Sequence, residues 1–515
     1  MSSIGINGAL YLASNALNAQ RQAIEITGQN IANVNTPNYA RQRANLVTSN
    51  TIQTSIGQEG TGVLVQGIEQ MRNFLLDAQV PASVSSLSYY QERSSLMAQL
   101  QSGLEQPLDR LDSLASNTAT TSGDGGLVQD LQNFFNAFQS LSSDPTSTSL
   151  RQQVILKAQA VASRLNTIGD GLISLQTQIG QTVSQSVSEA NTSLASIASL
   201  NKQIAQIEVG GTGPRANDLR DQRQQLVEDL SKKFNIYTHE ASDDTMTVRL
   251  GDSGGALLVS GVFSGNTASA STVKLTVDGS APTMTLKSWT GGEAETSLNL
   301  DAIPGQPSTG SVAAELNMIN TVIGDGTTGL VQTYDRIAAG LAGLVNGVHQ
   351  TGFTLQNSPT YNTAGTATFF DNDSTAGNAL GVVTARNIQL NSAVAADPLK
   401  IAASDAAGQP LNGNLAAALG NLTSNTTGTN LGGMTVSQYY LSQLTSLAGD
   451  IQATTSQQST AQLVNQQLTQ QRDSVQGVSL DEETSNLMLY QHAYQASARL
   501  MSVIDSMMQT ILQIQ

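Results

Sequence analysis

The sequence predicts a mainly α-helical protein with inserted β-structure, and three observations support this prediction. Apolar residues recur every seven positions near both ends of the chain, as they do in coiled-coil helices. A long stretch from about Ser147 to Val209 keeps a helical spacing of apolar residues. Between residues 236 and 305, apolar and polar residues instead alternate, with Asp and Gly at the turns. We therefore expect terminal coiled-coil helices, a domain that is a bundle of long helices, and an inserted region of antiparallel β-structure.

The N-terminal helix is predicted from the apolar pattern between residues 4 and 34. Thr36-Pro37 ends it, because the residue before a proline is kept out of the helical region. Asn38 follows, and Asn tolerates a left-handed backbone better than most residues. A seven-residue repeat marks the candidate seam of this helix, which consists of Leu10, Leu17, Ile24 and Ile31.

The C-terminal helix is predicted to begin after Ser479, which can cap it. Glu482 lies three residues further on, where a capping box needs it. The acidic residues of the first turn also match the positive end of the helix dipole. Two columns with seven-residue spacing form the candidate seam: Leu487, Tyr494, Met501 and Met508 in the first, and Tyr490, Ile504 and Ile511 in the second.

Neither terminal seam is wide enough to stabilise a single helix, because isolated helices of this length are marginal in water. Two arrangements solve this problem. The two ends can pair within one chain as a helix hairpin, or both can stay disordered until they meet other subunits. The spacing of the seam residues does not distinguish between these alternatives.

The patterns between the two ends predict further helices and their limits. A helix is expected to resume near Gly67 and to break at Pro81. The long helix after Ser147 contains Gly169, Gly171 and Gly180, which weaken it and could interrupt it.

The composition excludes several classes of protein. Only 12% of the 515 residues are charged, against about 25% in an average domain, and the net charge is -16 without any basic run. Nucleic-acid binding is therefore not expected, because it needs clustered positive charge. No apolar stretch is long enough to span a bilayer, so we expect no membrane insertion. The absence of cysteine excludes disulfides and cysteine-based metal sites.

Residues that could carry chemistry are few. His239 precedes Glu240, but no second histidine follows at the spacing of a zinc protease. Asp371 and Asp373 lack the remaining ligands of a calcium-binding loop. His349 lies on a helical face, where a hydrogen-bonded structural role is expected. We therefore predict that the protein is not an enzyme, that it has no catalytic, cofactor-binding or metal-binding residues, and that it needs no cofactors.

Two segments resemble the signatures of one family. NIANVNTPNYARQ, at 30–42, resembles the N-terminal signature of bacterial flagellar rod, hook and hook-associated proteins. GVSLDEETSNLMLYQHAYQASARLM, at 477–501, resembles a C-terminal signature of the hook-associated members, as does the YARQ that ends the first segment. Asn38 and Ala40 stand where Gly and Ser are usual. The signature residues are Asn30, Asn33, Thr36, Pro37, Tyr39, Arg41, Asp481, Glu482 and Glu483.

The resemblance implies nested domains, with the inner parts built from both ends of the chain and the outer part from its middle. Four parts are expected: a terminal coiled-coil assembly domain from 1–40 plus 476–515, a helical core domain from 41–235 plus 306–355 plus 401–475, an outer β domain at 236–305, and an irregular, β-leaning segment at 356–400.

The resemblance also implies a structural function in the bacterial flagellum. The chain is expected to be secreted through the flagellar type III channel and to join the hook to the filament through coiled-coil packing of its termini. The expected partners are other copies of the chain in a ring, the hook protein, a second junction protein (hook-associated protein 3) and a flagellar export chaperone. The alternatives are a hook or distal rod protein of the same axial family and, with less support, a secreted enzyme carried on an axial scaffold.

Overall fold

The protein is mainly α-helical with inserted antiparallel β-structure, as the sequence predicts. The computed structural model describes residues 6–54, 57–104, 126–208, 215–241, 245–260, 274–278, 285–289, 296–298, 309–324, 329–355, 368–372, 382–426 and 431–513. None of the helices within these ranges is long and apolar enough to cross a membrane. The helices are α1 Ile6–Ala32, α2 Phe74–Gly103, α3 Gly126–Ser143, α4 Thr148–Ile207, α5 Asn217–Lys233, α6 Ser311–Asn317, α7 Leu330–His349, α8 Ser392–Ala396, α9 Asn414–Gly420, α10 Val436–Gln476 and α11 Leu480–Gln513.

The strands of the described residues form small sheets, and every strand pair is antiparallel. Their pairings are β1 with β4, β2 with β3, β5 with β6 and β7, β8 with β9 and β10, β11 with β14, and β12 with β13. The strands are β1 Gln42–Thr48, β2 Thr51–Thr54, β3 Gly57–Gly60, β4 Val63–Gln70, β5 Ile236–Glu240, β6 Met246–Leu250, β7 Leu257–Val259, β8 Lys274–Asp278, β9 Thr285–Trp289, β10 Thr296–Leu298, β11 Phe353–Thr354, β12 Phe370–Asn372, β13 Ile388–Leu390 and β14 Ala402–Ser404.

Helix α4 is continuous over its 60 residues, which corresponds to a length of about 90 Å. Its glycines do not interrupt it. Gly169 has a packing reason, because a Cβ atom there would lie only 2.6 Å from the side chain of Arg386. Helices α3, α5, α6 and α7 all pack on α4, and so does strand β8. The long helix is therefore the element on which distant parts of the chain meet.

The start of α2 differs from the sequence prediction. Strand β4 occupies residues 63–70, so the helix expected from Gly67 begins only at Phe74, where the Asn73 side chain accepts a hydrogen bond from the Leu75 amide. The break expected at Pro81 is also wrong, because α2 runs through this residue. A proline removes one helical hydrogen bond, and packing of α10 along α2 stabilises the helix despite this loss.

Helix α3, the start of strand β12 and the end of helix α7 share an aromatic cluster in the main core. The rings of Phe134, Phe138, Phe369 and Phe370 are buried, with centroid distances between 5.1 and 5.9 Å. His349 packs on Phe369, and its Nε2 atom accepts a hydrogen bond from the Ala402 amide at 2.9 Å. His349 is therefore a structural residue of α7, as expected.

The β-structure between 236 and 298 is attached to the helices at two places. Val248 and Leu258, from the β5–β7 sheet, are fully buried in the same core cluster as α4. In the β8–β10 sheet, the backbone of Leu275 exchanges two hydrogen bonds of 2.8 Å with the Asn191 side chain on α4. The expected limits of an outer β domain stay a prediction, but the first sheet is packed into the helical core.

Phe134→Ala is expected to destabilise the core by about 3–5 kcal/mol, because it leaves a cavity beside the rings of Phe135, Phe138, Phe369 and Phe370. Urea unfolding followed by circular dichroism measures this change. Phe74→Ala is the matched control, since Phe74 is 71% exposed. Equal effects of the two substitutions would show that the aromatic cluster does not determine stability.

Candidate functional site at the paired chain ends

The two terminal helices pack against each other within one chain. Contacts between α1 and α11 are more extensive than those between any other two elements of the described residues. The residues most deeply buried along α1 are mostly small: Ala13, Ala19 and Ala23, together with Ile26. Ile504 is the buried apolar residue on α11. The structure therefore has the helix hairpin, which is one of the two alternatives that the sequence leaves open.

The predicted seam residues lie around this contact. Those of α1 are all half-buried, namely Leu10, Leu17, Ile24 and Ile31. On α11, Ile504 is buried and Tyr494 is 40% exposed, whereas the side chain of Ile511 is outside the described part of the structure. The other α11 seam residues are half-buried: Leu487, Tyr490, Met501 and Met508. The large seam residues of α1 therefore stay partly accessible in the single chain, whereas small residues are the most deeply buried along this helix.

Asn30 is the centre of a buried polar cluster, which we call the clasp, formed by Asn30, Tyr39, Arg41, Gln42 and Glu483. The Asn30 Oδ1 atom accepts hydrogen bonds from the Tyr39 hydroxyl at 2.9 Å and from the Gln42 amide at 3.0 Å. Its Nδ2 atom donates to the Gln42 carbonyl at 2.8 Å and to Glu483 Oε2 at 3.0 Å. One side chain thus joins the end of α1, the start of β1 and the first turn of α11.

Arg41 completes the connection with two carboxylates of α11. Its Nε atom lies 2.6 Å from Glu483 Oε1, and its Nη1 atom lies 2.7 Å from Glu482 Oε2. The side chain of Glu483 is only 3% exposed, whereas that of Glu482 is 63% exposed. Glu483 is therefore a buried, fully paired charge, and its loss would leave Arg41 and Asn30 without their shared partner.

The segment after α1 turns the chain back toward the clasp. The Asn33 side chain donates to the Gln29 carbonyl at 3.0 Å and accepts from the Thr36 hydroxyl at 3.0 Å. Asn38 has a φ of 61°, so the residue that replaces the usual glycine takes the left-handed conformation. Thr36 and Pro37 are exposed. This turn places Tyr39 and Arg41 beside Asn30.

A second polar network fastens the clasp to the helical core. The Arg41 amide donates to the Gln476 carbonyl at 2.9 Å, and the Gln476 side chain donates to Asp77 Oδ1 at 2.7 Å. Arg72 pairs with Asp77 and, at 2.5 Å, with Asp221. The orientation of the terminal hairpin is therefore coupled to α2, α5 and α10.

Burial raises the pKa of one group in the clasp and of one group next to it. It raises the pKa of the Tyr39 hydroxyl, and the carboxylates of Asp221, Asp218 and Glu483 raise it further. Tyr39 is thus a phenol that can donate to Asn30. Burial also raises the pKa of Asp221, although Arg72 opposes this change.

A second apolar stripe runs along α11 on another face. Leu489, Leu500, Val503 and Met507 are between 43% and 62% exposed, and they lie roughly a quarter turn around the helix from the residues that face α1. Large apolar side chains that are exposed on one face of a helix are typical of interaction surfaces. The contact with α1 therefore leaves one apolar face of α11 uncovered.

Sequence reasoning identified most of the clasp but not its connections. Four polar residues of these networks could not be recognised from the sequence, because their bonding partners are distant along the chain: Gln42, Gln476, Arg72 and Asp221. The exposed stripe on α11 did give a signal, because Leu500, Val503 and Met507 follow one another at helical spacing. The seven-residue columns of the seam obscured this signal.

This arrangement defines a mainly helical protein whose two chain ends pair as helices and are joined by a polar clasp. Within the described residues, no three His, Asp or Glu side chains are placed to hold a metal ion.

Three family models match the chain. Residues 108–369 match the flagellar hook-associated protein FlgK helical domain, 10–39 match the flagella basal body rod protein, and 469–514 match the flagellar basal body rod FlgEFG protein C-terminal region. The chain belongs to the flagellar hook-associated protein FlgK family.

Individual relatives agree with this assignment. Flagellar hook-associated protein 1 of Bacillus subtilis is 28% identical over 98% of this chain and 97% of its own length. Flagellar hook-associated protein 1 of Salmonella typhimurium is 30% identical over 48% of this chain and 42% of its own length. The flagellar hook junction protein FlgK from Burkholderia pseudomallei has a similar fold, with a TM-score of 0.58 and 16% identity over 77% of this chain and all of that chain.

Asn30→Ala is expected to open the terminal hairpin while leaving the core folded. Gln42 loses two hydrogen bonds, and Tyr39 and Glu483 lose one each. A buried polar group without a partner costs about 1–3 kcal/mol. Hydrogen exchange of α1 and α11 should accelerate, with exchange of α4 unchanged. Asn33→Ala is the control, because Asn33 bonds only within its own turn. If Asn33→Ala accelerates exchange as strongly, the clasp has no special role.

Proposed function

We propose that this chain is a non-enzymatic adaptor at the hook–filament junction, and that the α1–α11 hairpin is its assembly element. The relative from Burkholderia pseudomallei is described as a flagellar hook junction protein, which supports this position. The observation that carries the proposal is the clasp, because the residues of both family signatures contact one another there. The residues of the two signatures thus fix the terminal helices so that they present one defined face.

The clasp supports assembly by fixing the register between the two helices. A seam of half-buried apolar residues and small residues has little directional preference, whereas hydrogen bonds and ion pairs need a defined geometry. Asn30 and Arg41 meet Glu483 in only one alignment of α1 and α11. The neighbours in a ring would then all meet the same surface.

The exposed stripe on α11 supports coiled-coil packing against neighbouring subunits. Each large apolar side chain contributes about 1.5–3 kcal/mol when it is fully buried, and the four stripe residues follow helical spacing. We propose that other copies of this chain cover part of the stripe in a ring. The hook protein and hook-associated protein 3 are the proposed axial neighbours, and a flagellar export chaperone is the proposed partner before assembly.

The proposal also includes export in an unfolded state through the flagellar type III channel. The sequence has no cysteine, so folding outside the cell needs no disulfide formation. A hook or distal rod protein is the second candidate. Arg41 favours a junction protein over a hook or rod protein, because it matches the signature of the hook-associated members. It also pairs with Glu482 and Glu483.

Val503→Asp is expected to abolish filament attachment while the monomer stays folded. Val503 is 50% exposed in the monomer, but a carboxylate there would be buried without a partner in the assembled ring. Cells that carry only this variant should have hooks without filaments in electron micrographs. The purified variant should melt at the wild-type temperature.

Ser502→Asp is the matched control, because it adds the same charge one residue away on an exposed face outside the stripe. Filaments should form normally on this variant. Filaments on Val503→Asp cells, or their absence in both strains, would contradict the proposed role of the stripe.

A further inference from the structure

Glu315 is a buried carboxylic acid at the point where the chain returns from β10 to the helices. It lies on α6 and is 2% exposed. Its Oε2 atom has no hydrogen-bond partner. An ionised carboxylate in such a place is strongly disfavoured, since it loses its hydration without gaining a bond.

Contacts at both ends of α6 keep Glu315 inside. Before the helix, the Gly310 amide donates to the Ser85 carbonyl at 2.9 Å. Gly310 has a φ of 93°, and a Cβ atom there would lie 2.5 Å from the Lys233 carbonyl oxygen, so only glycine fits. At the other end, Arg93 Nη1 donates to Asn317 Oδ1 at 2.6 Å. While α6 is docked on α2 and α5, Glu315 cannot reach solvent.

The positive groups near Glu315 already have partners. Arg93, on α2, also donates to the Tyr89 hydroxyl and to Thr454 of α10. Lys233, on α5, pairs at 2.7 Å with Glu189 of α4. On α2, Tyr90 also packs beside Tyr89.

Glu92, also on α2, adds a like charge. Burial raises the pKa of Glu315 to about 8, with a further contribution from Glu92 that Lys233 only partly opposes. Burial raises the pKa of Glu92 as well. The two carboxyl groups therefore favour at least one bound proton near neutral pH.

We propose that Glu315 and Glu92 form a proton-controlled latch that docks α6 onto α2. The latch is closed while Glu315 is protonated and loosens when it ionises. Since α6 packs on α2, α4 and α5, the latch makes the docking of α6 on these helices depend on pH.

The sign of this dependence follows from the two states of Glu315. The folded group holds its proton up to about pH 8, whereas an exposed glutamate releases it near its ordinary value of 4.5. Between these values the opened state binds fewer protons than the docked state. Stability of the docked state therefore falls as pH rises through this window and is unaffected by this group at higher pH.

Hydrogen exchange of α6, corrected for the intrinsic pH dependence of exchange, tests the latch. The opening equilibrium of wild-type protein should rise by about tenfold per pH unit between about pH 5 and pH 8. Glu315→Gln should remove this rise, because glutamine does not titrate. Glu69→Gln, on β4, is the control, and its opening should follow that of the wild type.

Glu92→Gln provides the second variant. Without the negative charge of Glu92, Glu315 ionises at lower pH. The rise of the α6 opening equilibrium with pH should therefore end at a lower pH than in the wild type. A wild-type pH dependence in Glu315→Gln would overturn the latch. If Glu315→Gln does not fold, an unchanged end point in Glu92→Gln overturns it instead.

Discussion

The order of the terminal hairpin depends on the buried side chain of Asn30. A primary amide offers two donors and an oxygen that accepts two bonds, and all four positions are used here. Asn30 bonds to a turn, a strand and a helix at the same time, so none of the three can shift alone. An aspartate in its place could not donate to Glu483. A glutamine is longer by one methylene, which would displace its amide from the positions of these four bonds. The clasp therefore requires this residue type as well as this position.

Polar contacts connect the clasp to the neighbouring helices, and apolar contacts connect α4 to the elements packed around it. Gln476 and Arg72 link the hairpin to α2 and α5, while α4 gathers the helices and the sheets around one apolar stripe. Two kinds of interaction thus have separate roles. Apolar burial against α4 stabilises the helical core. The hydrogen bonds and ion pairs of the clasp and its neighbours determine the orientation of the terminal helices.

Strong periodicity made α1, α4 and α11 predictable, because a repeat over many turns has few alternative explanations. Strand β4 was missed although it spans eight residues, because Gly67 inside it interrupts the pattern of a strand. The seam was predicted from large residues, but the most deeply buried positions of α1 include Ala13, Ala19 and Ala23, which the prediction did not single out. The resemblance identified Asn30 and Glu483, but only the fold shows that they touch. Similarly, alternation predicted β6 and β7 but could not show that Val248 and Leu258 lie in the helical core.

The partners in the clasp, Asn30 and Glu483, are separated by 453 residues. Closing so long a loop in an unfolded chain costs about 5 kcal/mol in entropy, beyond a constant term. A few hydrogen bonds cannot offset this cost alone, and they form readily only after the intervening domains have folded and brought both ends together. A closed clasp is consequently a sign that the intervening chain is complete, and a partner that binds the aligned helices selects finished subunits from incomplete ones.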